Sequence, residues 1–159
     1  MSRIYPSYCY NHNFVLRVTP LLWLIIIWSV NHLLVLGLAV FAKSGETLGL
    51  AIEYASNPFS LLSDLPGAMV MVAVINRRPA AGKIMRWLWH YGRLFLIAGV
   101  CAQVAIIIGM YWQKTFQIVD EWLLIILAAN IVFFVFLLRS RLIKDIFLDF
   151  PQPIAESKK

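Results

Sequence analysis

The chain has 159 residues, 61% of them hydrophobic and 14% charged, with a formal net charge of +6 and a mean hydropathy of +0.77. That apolar share lies well above the ~45–50% of soluble domains, so the composition excludes an ordinary water-soluble domain and predicts a membrane protein. The basic excess could serve a nucleic acid, but the placement of the basic residues decides against that partner.

Residues 1–17 form a polar tail with Pro6, and residues 18–42 follow as the first apolar run. That run is longer than the ~7–15 apolar residues of a secretory leader, so it reads as a retained helix. Crossing about 30 Å of hydrocarbon at about 1.5 Å per residue needs about 20 residues, and four runs approach that length: 18–42, 58–76, 94–112 and 122–138. The segment SGETLGLAIEYASN, 44–57, reads as an interfacial helix or a partly inserted turn, with Asn57 as N-cap and Pro58 at the first helical position. After the fourth run, RSRLIKDIFLDF sets Leu142, Ile143, Ile146, Phe147 and Phe150 among Arg141, Lys144, Asp145 and Asp149. This pattern predicts an amphipathic extension along the membrane surface, ended by Pro151 and Pro153. No internal repeat is visible, and residues 1–159 read as one membrane domain with tails at 1–17 and 139–159.

Arg3, Arg17, Arg77, Arg78, Lys83, Arg86, Arg93, Arg139, Arg141, Lys144, Lys158 and Lys159 fall on one side of these runs; only Lys43 and Lys114 fall on the other. Twelve against two across short loops follows the positive-inside rule and predicts both termini in the cytoplasm. Trp87, Trp89 and Tyr91 at one end of the third run, and Tyr111, Trp112 and Trp122 at the other, sit where interfacial aromatics belong. The fold class expected is therefore all-α: a bundle of four transmembrane helices, N-in and C-in. Arg77, Arg78, Lys83, Arg86 and Arg93 form a basic rim suited to anionic lipid headgroups.

The midpoints of the first, third and fourth runs fall near Asn31, Gln103 and Asn130, which with His32 define a polar layer at one depth. Amides in such a layer commonly hold helices together by interhelical hydrogen bonds, yet intramembrane polar residues also point to functional sites. Pro66 and Gly67 lie near the centre of the second run as a break, and Pro66 frees the Leu62 carbonyl as a partner for one of these amides. Asp64, the one carboxylate inside a run, reads either as a snorkelling or capping residue near the outer edge, or as a proton or cation site with His32. Ala98, Ala102, Ala105 and Gly109 make a small-residue stripe for close helix packing, while Gly92, Gly99 and Gln103 fall on another face of the same helix. Cys9 and Cys101 are too few for a disulfide framework and are placed at different depths. Cys9 with His12, and His90 at the same surface, give only a weak metal or haem pattern, so no cofactor is expected.

Three stretches carry a resemblance: RIYPSYCYNHNFVLRVTPLLWL, NPFSLLSDLPGAMVMVAVINRRP and WLWHYGRLFL. Together, with their Leu-Pro-Gly break and Trp-His-Tyr-Gly-Arg opening, the chain resembles the YfeZ-like family of small bacterial inner-membrane proteins over residues 5–110. The resemblance implies a multi-spanning protein of the bacterial inner (cytoplasmic) membrane and supplies no activity and no functional residues.

No nucleophile elbow, phosphate loop or zinc-protease motif occurs, so the expectation is a protein that is not an enzyme. The favoured reading is an accessory, assembly or scaffold subunit acting through helix contacts with another membrane protein or a second copy of itself. The alternatives are a small permease or proton-coupled carrier using Asp64 and His32, and a protein that binds anionic membrane lipids.

Overall fold

The computed structural model describes residues 5–10, 15–41, 58–112 and 121–151. The expectation for 44–57 and the partner His12 lie outside them. Among the described residues a 3-10 turn at Ser7–Cys9 precedes seven helices: α1 (Pro20–Trp28), α2 (Asn31–Phe41), α3 (Pro58–Ile75), α4 (Lys83–His90), α5 (Gly92–Trp112), α6 (Glu121–Arg139) and α7 (Arg141–Leu148). Extended pairing among the described residues is one antiparallel bridge, Tyr10 with Leu16.

Thr19 caps α1, its hydroxyl accepting the Leu22 N–H at 3.2 Å, and Pro20 supplies a fixed φ at the first position. The first apolar run does not continue as one rod. It breaks after Trp28 and restarts at Asn31 with a bend of 67°. The cause is local: Ser29 Oγ donates to the Ile25 carbonyl at 2.8 Å, and the Val30 N–H reaches back only three residues, to Ile27 O at 3.2 Å. A serine that bonds back into the preceding turn bends a helix, and the tightened turn ends it. Asn31 Nδ2 then donates to the Trp28 carbonyl at 2.8 Å, satisfying one of the acceptors that the break strands.

Helix α3 passes through Pro66 without ending and is the hub of the bundle, touching α1, α2, α4 and α5. Two glycines permit the close approaches. A Cβ at Gly67 would lie 2.7 Å from both Ser29 Cβ and Ser29 O, so α3 crosses directly over the α1–α2 break. A Cβ at Gly99 would lie 3.4 Å from Ser63 O, which brings α5 onto α3. Helix α5 lies between α3 and α6, burying Leu96, Val100 and Gln103.

At the basic end of the bundle α7 folds back at 68° to α6. Ser140 caps it by accepting the Ile143 N–H at 3.3 Å. Its apolar face is used by the protein itself: Ile143, Ile146 and Phe147 are buried, with the Phe147 ring 4.7 Å from Trp89 and filling the space a Cβ at Gly92 would need. Periodicity predicts such a face without naming its partner; in the structure that partner is Trp89 and the Gly92 position. Trp89 Nε1 donates to Ile146 O (3.0 Å) and Asp149 O (3.2 Å). Arg77 donates to Leu16 O (2.8 Å) and Asp149 O (2.6 Å) and lies over the Trp89 ring. Leu16 N–H meets Asp149 Oδ2 at 2.7 Å, and Tyr5 OH donates to Asp145 Oδ2 at 2.6 Å. These bonds tie the N-terminal segment and the end of α3 to α4 and α7.

Candidate functional site

Asp64 sits on α3 two residues before Pro66 and is fully buried, at 0% exposure. Its environment explains how a carboxylate is held there. Oδ2 accepts the Leu33 N–H at 3.1 Å; Oδ1 lies 3.0 Å from His32 Nδ1 and accepts from Gln103 Nε2 at 3.3 Å. Leu33 is the third residue of α2, so the carboxylate occupies the helix N-terminus that the break exposes, where free N–H groups and the positive end of the helix dipole favour an anion. Discontinuous transmembrane helices present their half-helix N-termini to anions in this way; here the anion belongs to the neighbouring helix.

Burial at 0% rules out the snorkelling expectation for Asp64, and the group it caps is α2, not the helix it belongs to. Gln103, 6% exposed, takes Asp64 as its acceptor, where the sequence offered the Leu62 carbonyl. The three side chains come from three helices, and the crossing of α3 over the break at Gly67 brings them to one point. His32 keeps a side-chain exposure of 13%. With histidine beside it, the centre has two protonation sites 3.0 Å apart, an arrangement that can accept, hold and pass one proton.

The polar layer divides. His32 and Gln103 meet Asp64, whereas Asn31 and Asn130 each bond within their own segment, Asn31 to Trp28 O and Asn130 Nδ2 to Ile126 O at 3.0 Å. Ala98, Ala105 and Gly109 are exposed and Ala102 is half-buried; a Cβ at Gly109 would meet nothing within 4 Å. The stripe therefore faces away from the described helices, and the contact face of α5 is the Gly92, Gly99 and Gln103 face. On the basic rim, Arg77 and Arg86 are bound to backbone carbonyls, Arg86 to Ala81 O (3.2 Å) and Pro79 O (2.8 Å). Arg93 holds the end of α6 through Leu137 O (2.8 Å) and Leu138 O (2.9 Å), a favourable place for a cation. Arg78 and Lys83 are exposed. Burial draws the Arg77 guanidinium down to about 10, against the opposing pull of Asp149.

Sequence reasoning missed Ser29 and the Leu33 N–H, and it took Gly67 as part of the Pro66 break, not as the point where α3 meets Ser29. Ser29 and Gly67 are small residues whose signal appears only when two segments are known to cross, and a backbone N–H has no sequence signal at all. Among the described residues no group of three or more His, Cys, Asp or Glu side chains is placed to hold a metal ion.

The molecule thus belongs to a class defined by its helices: all-helical among the described residues, with Pro58–Ile75 and Gly92–Gly109 each long and apolar enough to cross a membrane, and four spans in all if each bent pair counts as one. Its sequence matches, over residues 5–149, the family described as "Protein of unknown function (DUF2919)", and the chain belongs to that family. No curated protein and no solved structure matches it.

Proposed function

We propose that the chain is a YfeZ-like, four-span protein of the bacterial inner membrane, with both termini in the cytoplasm, that works as a small proton-coupled carrier through His32, Asp64 and Gln103. The carrying observation is a fully buried carboxylate held at a helix break by donors from two other elements. An ionisable residue inside a membrane domain is costly, and a site built to hold one points to use of its charge. A proton is favoured over a metal cation because the groups around Asp64 are donors: a cation needs several oxygen ligands, and here the Leu33 N–H and the Gln103 amide both point at the Asp64 carboxylate. The twelve-to-two division of basic residues supports the orientation.

The test is infrared difference spectroscopy of the purified full chain between acid and neutral pH. A protonated-carboxyl band should appear on acidification and be missing in Asp64→Asn, and pH-driven proton uptake into proteoliposomes should be lost in Asp64→Asn and His32→Gln. Absence of any Asp64 carboxyl band would sink the reading.

A second reading rests on the exposed stripe. Ala98, Ala105 and Gly109 present small residues where another helix can approach, as an accessory or scaffold subunit requires. Cysteine crosslinking from Ala105→Cys should then trap a second copy or a partner membrane protein at that position, and a chain that stays uncrosslinked in native membranes would argue against it. Lipid headgroups would meet the basic rim through the exposed Arg78 and Lys83.

A further inference from the structure

Helix α4 turns one side to the core and leaves the other open. Trp89 is buried and Leu88 packs against the core cluster, whereas Lys83, Ile84, Trp87, His90 and the following Tyr91 are exposed. Those positions fall at i, i+1, i+4, i+7 and i+8, which is a single helical face. The face is mixed: Ile84 is 70% and Trp87 54% exposed, beside a lysine. It also runs on into α5. The Trp87 ring lies 5.2 Å from Tyr91 and 5.8 Å from Phe95, and Leu94, three residues beyond Tyr91, is again exposed.

The 21 residues of α5, at about 1.5 Å each, cover the ~30 Å of hydrocarbon on their own, so α4 stands in the headgroup layer. Residues 76–93 contain no Asp or Glu. The two acids packed beside them, Asp145 and Asp149, are half-buried and turned onto Tyr5 OH and the Leu16 N–H, so among the described residues of this end no carboxylate is exposed. Of the five rim cations, Arg77, Arg86 and Arg93 are engaged by backbone carbonyls. That leaves Lys83 on the open face and Arg78 in the turn before it, which Ala81 N–H closes onto Arg78 O at 3.0 Å and Arg86 holds against α4 through Pro79 O and Ala81 O.

We infer that the open face of α4 is a binding surface for an anionic phospholipid. Ile84, Trp87 and Tyr91 enter the boundary between headgroups and acyl chains, and Lys83 and Arg78 meet the negative headgroup. A free phosphate or a nucleic acid would leave Ile84 and Trp87 in water, and a zwitterionic lipid would give the two exposed cations no net counter-charge. This surface deepens the lipid contact proposed above; it needs the chain to cross a membrane and does not depend on proton carriage at Asp64.

The test is tryptophan fluorescence of the purified full chain in phosphatidylcholine vesicles that carry an equal fraction of either phosphatidylcholine or phosphatidylglycerol brominated on the acyl chain near the headgroup. Trp87 emission, taken as the difference between wild type and Trp87→Phe among the six tryptophans, should be quenched by both lipids and more strongly by the phosphatidylglycerol. Arg78→Gln and Lys83→Gln should each lower that preference by about fivefold, and salt should lower it in wild type. Equal quenching by the two lipids, a Trp87 emission untouched by either, or a preference that survives the double substitution would overturn the inference. So would a DNA duplex that shields Trp87 from bromine, since it would assign the face to nucleic acid. Should the double variant fail to insert, the salt titration of wild type decides. A chain that does not enter the vesicles at all would refute the membrane crossing and this surface with it, whereas absence of the Asp64 infrared band would leave the surface standing.

Discussion

Replacing Gly67 with alanine tests the geometry that assembles the buried centre. The added methyl would sit 2.7 Å from Ser29 Cβ and 2.7 Å from Ser29 O, roughly an ångström inside the ~3.5–4.0 Å of an optimal contact between carbon atoms. One of the obstacles is backbone, so no rotamer change relieves it and α3 must move off the α1–α2 break. Overpacking of this kind costs about 1–3 kcal/mol. Asp64 is three residues earlier on α3, on the same face, and its bonds to His32 and Leu33 already span 3.0 and 3.1 Å. A shift of a few tenths of an ångström takes them towards the limit of hydrogen bonding. Gly67→Ala should therefore lower the thermal midpoint in detergent and weaken the Asp64 infrared signature together. Gly109→Ala, with nothing in the way, serves as control and should change stability by no more than about 1 kcal/mol, the glycine-to-alanine difference in helix propensity. If Gly67→Ala were as stable as the control and kept an unaltered Asp64 band, the argument that this glycine sets the centre would fail.

Three further outcomes follow from the basic end. Trp89→Phe keeps an aromatic ring near Phe147 but leaves the Ile146 and Asp149 carbonyls without their shared donor, so it should cost about 2 kcal/mol in chemical denaturation, whereas Trp87→Phe at an exposed site should cost much less. Gly92→Ala would drive a methyl to 2.5 Å from the Phe147 ring and should loosen α7, read as faster tryptic cleavage at Arg141 and Lys144; an unchanged rate would show that the ring has room to turn. Arg77, lowered by burial to about 10, carries fewer protons in the folded than in the unfolded chain only above that pH. Its contribution to stability therefore grows more favourable as pH rises through about 10 and is constant below it. The stability difference between wild type and Arg77→Met should accordingly be flat from about pH 6 to 9, and a slope there would mean another group is coupled to Arg77.

A broken helix and a buried carboxylate are each destabilising alone. Together they offset one another: the break strands N–H groups at the start of α2, and Asp64 strands acceptors on α3, and the two sets meet at the Gly67 crossing. This pairing accounts for an acid deep in an apolar bundle without a permanent positive partner.

The amino-acid sequence by itself determined that the chain carries apolar runs long enough for a membrane, the helical nature of those runs and the amphipathic character of the segment that became α7. These follow from composition, run length and 3.6-residue periodicity, which are local properties. It also carried Asp64, His32 and Gln103 as residues out of place in hydrocarbon, since a polar group in an apolar run stands out whatever it touches. Only the tertiary structure decided that Asp64 pairs with His32 and Gln103 while Asn31 and Asn130 do not, that the first run bends at Ser29, and that the face of α7 is covered by Trp89 and Gly92 instead of being left open. Each of these depends on which segments cross and how closely. Crossing is set by small residues such as Gly67 and by backbone groups such as the Leu33 N–H, whose roles exist only once another helix is beside them.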